Sequence, residues 1–219
     1  MSRLSVVTDS EQLDETAPAA RPGKRERLIA AAVELVYRQG VARTTLADIA
    51  QAADVPVGNV YYYFKTKDDI IAAVVEAHRD RLRASFADLE RRHSSTRARL
   101  KALGDALAAQ RDVVARYGCP YGTLSSELAK RAGGTDPLAG ALIQAQIDWA
   151  EQQFQAMGRS DAHDLAVELV AYHQGSTVLT SALGQPELMD QHVRRIERWI
   201  DALDDSNDPD PTRHRRADA

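Results

Sequence analysis

The sequence predicts an all-α protein, and three observations carry that prediction. Apolar residues recur at three- and four-residue spacing through nearly every segment from Lys24 to Leu203. No segment alternates apolar and polar residues in the manner of a half-buried strand. Capping residues, glycines and prolines fall between the periodic runs, where helices start and stop.

The first helix runs from about Lys24 to Gln39, with Leu28, Ala32, Leu35 and Val36 on one face. Gly40 follows, a residue that commonly ends a helix in the left-handed conformation. Thr45 and Asp48 form a capping box that opens a short second helix burying Leu46, Ile49, Ala50 and Ala53. Asp54 and Val55 turn the chain, and Pro56 suits the first turn of a third helix, where its missing N–H costs nothing. Thr66 with Asp69 opens a long fourth helix whose apolar line is Ile71, Val75, His78, Leu82, Phe86 and Leu89. About 25 residues of helix would measure roughly 38 Å.

The next predicted helix carries Leu100, Leu103, Leu107, Val114 and Tyr117. A break at Gly118-Cys119-Pro120-Tyr121-Gly122 precedes a short helix around Leu124 to Lys130, and Gly133, Gly134 and Pro137 interrupt again. A helix from about Asp136 to Met157 aligns Ile143, Ile147, Ala150, Phe154 and Met157. From Asp161 to Leu183 the chain is apolar on more than one face, so that helix needs more neighbours than one small domain easily supplies. Its small residues Gly175, Ser176, Ser181 and Ala182 would permit close approach of a partner helix. Pro186 opens the last helix, with Met189, Val193, Ile196, Ile200 and Leu203 in register. Residues 1–22 and 205–219 read as disordered tails, residues 23–67 as a three-helix unit, and residues 68–204 as a larger helical bundle.

Composition narrows the function classes. A chain of 219 residues, 44% hydrophobic, is large enough for a real core, yet no window approaches 18 consecutive apolar residues, so no membrane span is expected. The N-terminus lacks a long apolar stretch and reads as a tail rather than a signal peptide. One cysteine, Cys119, excludes an intramolecular disulfide and points to a reducing cytoplasm. There is no Gly-rich phosphate loop, no Glu-x-x-His pair and no Cys/His cluster, which argues against an enzyme and against a metal or other cofactor. His163 and His173 have no carboxylate at ligand spacing. The net charge of −4 is unevenly spread: from Lys24 to Lys67 seven bases face four acids, a basic segment on an acidic body.

That basic segment contains NVYYYFKTKDD, residues 59–69. On a helix at ~100° per residue, Pro56, Val60 and Phe64 fall on the core side, while Gly58, Asn59 and Tyr62 point roughly opposite and Tyr61 and Tyr63 lie on the flanks. A short helix that follows another after a tight turn and offers an amide and phenols outward is a helix-turn-helix, whose second helix enters the major groove of DNA. Asn59 can read adenine with two hydrogen bonds. Gly58 removes a side chain where the helix must approach the duplex closely, and Val57 beside it counts among the DNA-contacting residues. Tyr61, Tyr62, Tyr63, Lys65, Lys67 and the start of the second helix at Thr44 and Thr45 suit phosphate oxygens.

The run GVARTTLADIAQAADVPVGNVYYYFKTKDDIIAAVV resembles the signature of the TetR family of bacterial one-component transcriptional regulators. Gly40, the Thr44-Thr45 pair, Ile49-Ala50, Val55, Gly58, Tyr61, Tyr62, Phe64, Lys67 and an apolar residue at 70 or 71 carry the likeness, over about residues 24 to 75. The resemblance implies an all-helical homodimer that reads double-stranded operator DNA with its N-terminal module. It also implies a C-terminal domain that binds a small-molecule effector and dimerises through its last two helices. Pro56-Val57 departs from the polar residues common there and leaves fewer base-reading side chains. GCPYGTLSSELA further resembles a subset of the family with a Gly-Cys-Pro motif in this region.

Tyr117, Cys119, Tyr121, Trp149, Phe154, Tyr172 and His173 could line an aromatic effector pocket, or each could be ordinary core or dimer interface. Cys119 has two readings of its own, a small buried hydrophobe or a redox and electrophile sensor. The expected function is a ligand-released regulator, read as a repressor. The alternatives are cysteine-based sensing through Cys119 and a helical adaptor that binds only protein.

Overall fold

The computed structural model describes residues 22–131, 136 and 138–203, and their regular structure is entirely helical. Gly133, Gly134, Pro137 and the predicted tails, apart from Pro22, lie outside the described residues. The first unit consists of α1 (Lys24–Arg43), α2 (Leu46–Ala52) and α3 (Val57–Tyr63). The predicted box opens α2: the Asp48 amide donates to Thr45 Oγ1 at 3.1 Å, and the Thr45 amide donates to Asp48 Oδ2 at 2.9 Å. Behind α2 the chain turns through Asp54, at φ 51°. Arg27 holds that turn from α1, its Nη1 donating to the carbonyls of Ala53 at 3.0 Å and Asp54 at 3.3 Å. Leu28, Ala32, Ile49, Val55, Val60 and Phe64 close the core of the unit, all buried.

Two expectations for this unit need correction. Gly40 interrupts the first helix where expected, but not in the left-handed helical conformation. At φ 83° and ψ 163° it kinks the chain, and Val41, Ala42 and Arg43 continue as helix beyond it. Pro56 is not on the core side. It caps α3 from outside and is exposed, leaving Val60 and Phe64 to make the buried face.

The larger unit begins with α4 (Lys67–Arg92), capped by Thr66 and Asp69 and buried along Ile71, Val75, His78, Leu82, Phe86 and Leu89. It continues through α5 (Thr96–Ala108), α6 (Arg111–Tyr117), α7 (Pro120–Arg131), α8 (Ala141–Ala156), α9 (Ala162–Leu183) and α10 (Glu187–Ala202). The single helix expected from Leu100 to Tyr117 is therefore two. Gln110 bonds back to Leu107 at 3.0 Å in a tightened turn, which lets α5 pack on α10 while α6 packs on α9. No glycine or proline marks that break. α8 starts five residues later than expected because the Asp136 carboxylate accepts from the Leu138 amide at 2.9 Å and folds a turn ahead of it. α7 starts at Pro120, a residue suited to a first helical turn. α9 packs against α8, α6 and α10, yet keeps Val178, Leu179 and Leu183 at 62%, 47% and 59% exposure. A stripe that open on an otherwise buried helix is an unpartnered apolar face.

α7, like α4, packs against α1. The Val41 amide, next to the Gly40 kink, donates to Glu127 Oε2 at 2.6 Å. Tyr37 of α1 donates its phenol proton to the Gly118 carbonyl at 2.9 Å, and burial pushes that phenol up to about 12, so it stays a donor at any physiological pH. Arg131 pairs with Asp68 at 2.5 Å, close to the start of α4. Gly40 is required twice here: its φ is one that side chains avoid, and a Cβ would lie 2.9 Å from Glu127 Oε1.

Two buried histidines, His78 on α4 and His173 on α9, sit 4% exposed in the larger unit. Burial lowers each to about 4, for His78 with help from the nearby Arg81 charge. His163 is shifted the opposite way, raised by its hydrogen bond to Glu151.

Two predictions follow from these contacts. Gly40→Ala will lose about 1–3 kcal/mol of stability in urea unfolding. Because Glu127 supplies the crowding, Gly40→Ala combined with Glu127→Ala will lose less than the two single losses together; strict additivity would mean that the two residues do not meet. Proton NMR of the six histidines will find two rings still neutral at about pH 5.5. Between the unfolded value of about 6.5 and the folded value of about 4, the unfolded chain binds the extra protons, so stability will fall on acidification through that window. Six rings that all titrate above pH 6 would contradict the burial.

Candidate nucleic-acid interface and effector cavity

α3 has seven residues, ~10 Å of helix, too short to persist alone in water. Val60 and Phe64 hold it, 0% and 3% exposed, each contributing roughly 1.5–3 kcal/mol by burial. Phe64 lies one step past the helix in extended conformation, which turns its ring inward, and the Arg25 guanidinium covers that ring 5.5 Å from its centroid. The opposite side is open. Tyr62 is 77% exposed, Tyr61 51% and Val57 46%, with Gly58 exposed and Asn59 half-buried. Tyr63 is half-buried, and its ring meets the Tyr62 ring edge-on at 5.0 Å. Nothing lies within 4 Å of where a Gly58 side chain would begin, so the space over that residue is free.

The predicted contact residues divide into three kinds. Val57, Gly58, Asn59, Tyr61 and Tyr62 share the open side of α3. Lys65 and Lys67 flank it, but both ammonium groups are turned onto backbone carbonyls, Lys65 on Tyr61 at 2.8 Å and Lys67 on Ala42 at 3.3 Å. Those partners are exposed carbonyls that a phosphate could replace. Thr44 is placed differently from the expectation: it is 0% exposed and its hydroxyl donates to the Gly40 carbonyl at 2.8 Å, so its side chain stabilises the kink. Thr45 is exposed, yet its hydroxyl donates to Asp48 Oδ2 at 2.7 Å. The Thr45 hydroxyl and amide, with the Lys67 charge, hold the Asp48 carboxyl below the usual carboxylate range. Sequence reasoning did not single out Arg43 and Gln51, which line a surface groove with Asp48 beside α2.

In the larger unit a cavity of about 90 Å³ lies among α4, α5, α6, α7, α8 and α9. Of the seven expected lining residues, Cys119, Tyr121 and His173 reach it. The other four do not. Tyr117 turns to Tyr37, with ring centroids 5.6 Å apart. Phe154 is fully buried against Trp199. Tyr172 is one step, ~100°, round α9 from His173 and is exposed beside Trp199. Trp149 stacks on Phe86 at 4.5 Å and donates to Glu90 at 2.9 Å, so it backs a cavity residue from the far side. Gln146, Gln174 and Thr177 line the cavity and were not anticipated, because a polar residue on a helix gives no sign from sequence that it faces inward. Cys119 is 7% exposed, and its sulfur accepts from the Gly122 amide at 3.4 Å, which suits packing better than sensing. Among the described residues no three His, Cys, Asp or Glu side chains gather to hold a metal ion, and no helix is long and apolar enough to cross a membrane.

Comparison with known proteins agrees with this geometry. Residues 28–74 match the family model of bacterial regulatory proteins, tetR family. The chain is 27% identical over 187 residues to the HTH-type transcriptional regulator TtgR of Pseudomonas putida, covering 81% of this chain and 88% of that one. It is 29% identical over 108 residues to the HTH-type transcriptional repressor KstR2 of Rhodococcus jostii, covering 48% of this chain and 52% of that one. A TetR-family transcriptional regulator from Agrobacterium tumefaciens superposes with a TM-score of 0.72 at 21% identity, over 81% of this chain and 97% of its own. The matched segment holds α2, α3 and the turn between them, so the likeness to the tetR family of bacterial regulatory proteins falls on the helix-turn-helix.

Proposed function

We propose that the protein is a one-component transcriptional repressor that binds operator DNA as a homodimer and leaves it when an effector enters the α4–α9 cavity. The observation that carries the reading is the two-sided α3: Val60 and Phe64 buried, Tyr61 and Tyr62 open to solvent. The family match of residues 28–74 supports the DNA-binding half. The exposed Val178, Leu179 and Leu183 of α9 support dimerisation through the last two helices. The Gly118-Cys119-Pro120 run supports a place in the Gly-Cys-Pro subset, and the reading places the protein in the cytoplasm.

Two α3 helices of a dimer have to enter grooves ~34 Å apart, or a multiple, so a small pivot of each unit breaks the match. Reversing occupancy from about 99:1 to 1:99 takes ~5.5 kcal/mol of effector preference between the two states. α7 is placed to transmit that preference. Cys119 and Tyr121, at its start, line the cavity, and Glu127, two turns on, holds the Val41 amide at the root of the DNA-binding unit.

Selection of duplexes from a random pool followed by mobility-shift titration tests the reading. Full-length protein will enrich a sequence with two half-sites, and binding will weaken steeply with salt. Tyr62→Ala will weaken binding by at least about tenfold without changing the unfolding midpoint, and Lys67→Ala will lower the salt slope by about one. A pool that never enriches, or a Tyr62→Ala variant that binds like the parent, leaves the protein-only adaptor as the better reading.

A further inference from the structure

The cavity is too particular in its lining to accept any effector. Its walls include Leu82, Phe86, Leu103 and Leu107, and not one Asp, Glu, Lys or Arg contributes. An ion placed there would have no counter-charge, at a cost of several kcal/mol. Of the lining residues, His173 alone has a fully buried polar atom without a hydrogen bond, its ring nitrogen Nε2. Such an orphan costs about 1–3 kcal/mol, and a ligand atom that pairs with it recovers much of that.

Resting on the effector-released reading above, we propose that this cavity binds an uncharged single-ring molecule with one hydroxyl group, the hydroxyl pairing with His173 Nε2. The low affinity of His173 for protons keeps its ring neutral at pH 7, so it does not supply charge for an anion. Arg81, a cation that acts on Tyr121, is exposed and outside the lining.

Size sets the way in. A cavity of about 90 Å³ is smaller than the ~150 Å³ that accepts benzene. A groove of about 470 Å³ shares Cys119, Gln174 and Thr177 with it, whereas Glu127, already held by the Val41 amide, Lys130 and Val178 line the groove alone. Gln174 is the movable part of that wall. Its side-chain amide rests on Gly122, where a Cβ would overlap it, so the space Gln174 occupies exists only because residue 122 has no side chain. Withdrawal of Gln174 joins groove and cavity and makes room for a six-membered ring.

The test uses the full-length protein without DNA and four probes of one size: phenol, toluene, benzoate and benzylamine. Calorimetry at pH 7 will rank phenol about tenfold tighter than toluene, the worth of one recovered hydrogen bond, and both charged probes weaker than toluene. His173→Phe will bring phenol down to the affinity of toluene and leave toluene unchanged, whereas His173→Gln will retain the preference for phenol. Gln174→Ala will tighten phenol and toluene alike. The proposal is overturned if benzoate or benzylamine matches phenol, if the preference survives in His173→Phe, or if none of the four binds at millimolar concentration. The selected duplex separates this failure from that of the regulator. Phenol that binds yet leaves the duplex bound counts against effector release and not against the site; release by a charged compound alone counts against the site and not against the regulator.

Discussion

A helix of seven residues has to be held in place by something other than itself. For α3 that support is the burial of Val60 and Phe64, with α2 packed on α3 and Arg25 of α1 over the Phe64 ring, and the direction of the other side chains on α3 follows from it. With those two turned inward, the helical repeat leaves Tyr61 and Tyr62 nowhere to go but outward, at 51% and 77% exposure. Arg27 contributes from the other end by fixing the Ala53–Asp54 turn, which sets the angle at which α3 leaves α2. The open face of α3 is thus a by-product of core packing, which makes it rigid and suited to reading a surface of fixed shape.

The same logic extends through the joint between units. The kink at Gly40 frees the Val41 amide from the α1 ladder, and Glu127 of α7 takes it up. Thr44 closes the kink from below by donating to the Gly40 carbonyl, directly before the capping box of α2. A chain of hydrogen bonds thereby runs from α7 to the start of the helix-turn-helix. Tyr37 on Gly118 and Arg131 on Asp68 brace it on either side. Since α7 begins at the wall of the cavity, any change in that wall acts at one end of a short rigid lever.

The α-helical class and the capping boxes at Thr45 and Thr66 were legible from sequence because each depends on residues within one turn of one another. The two-sided character of α3 was legible for the same reason. What escaped depends on distant partners. Nothing local separates α5 from α6; the break exists because α10 and α9 draw the two halves to different places. Gly40 reads as a helix end, and regular helix does stop there; that a further turn follows, and that Glu127, 87 residues away, takes up the Val41 amide, has no local sign. Thr44 and Thr45 look alike in sequence, yet one is wholly buried and the other exposed. In the larger unit, aromatic residues drew attention while Gln146, Gln174 and Thr177 did not, although these three line the cavity and Phe154 and Tyr172 do not. Even where an aromatic residue is buried, its character does not say whether it lies against other protein or against a space.

The central claim is that the outward side of α3 meets the bases. Amide chemical-shift mapping on a selected duplex addresses it most directly. The account predicts that the largest perturbations fall on Val57 to Tyr63 and the start of α2, with smaller ones along α7. Perturbations confined to α8, α9 and α10, with α3 unmoved, would contradict it.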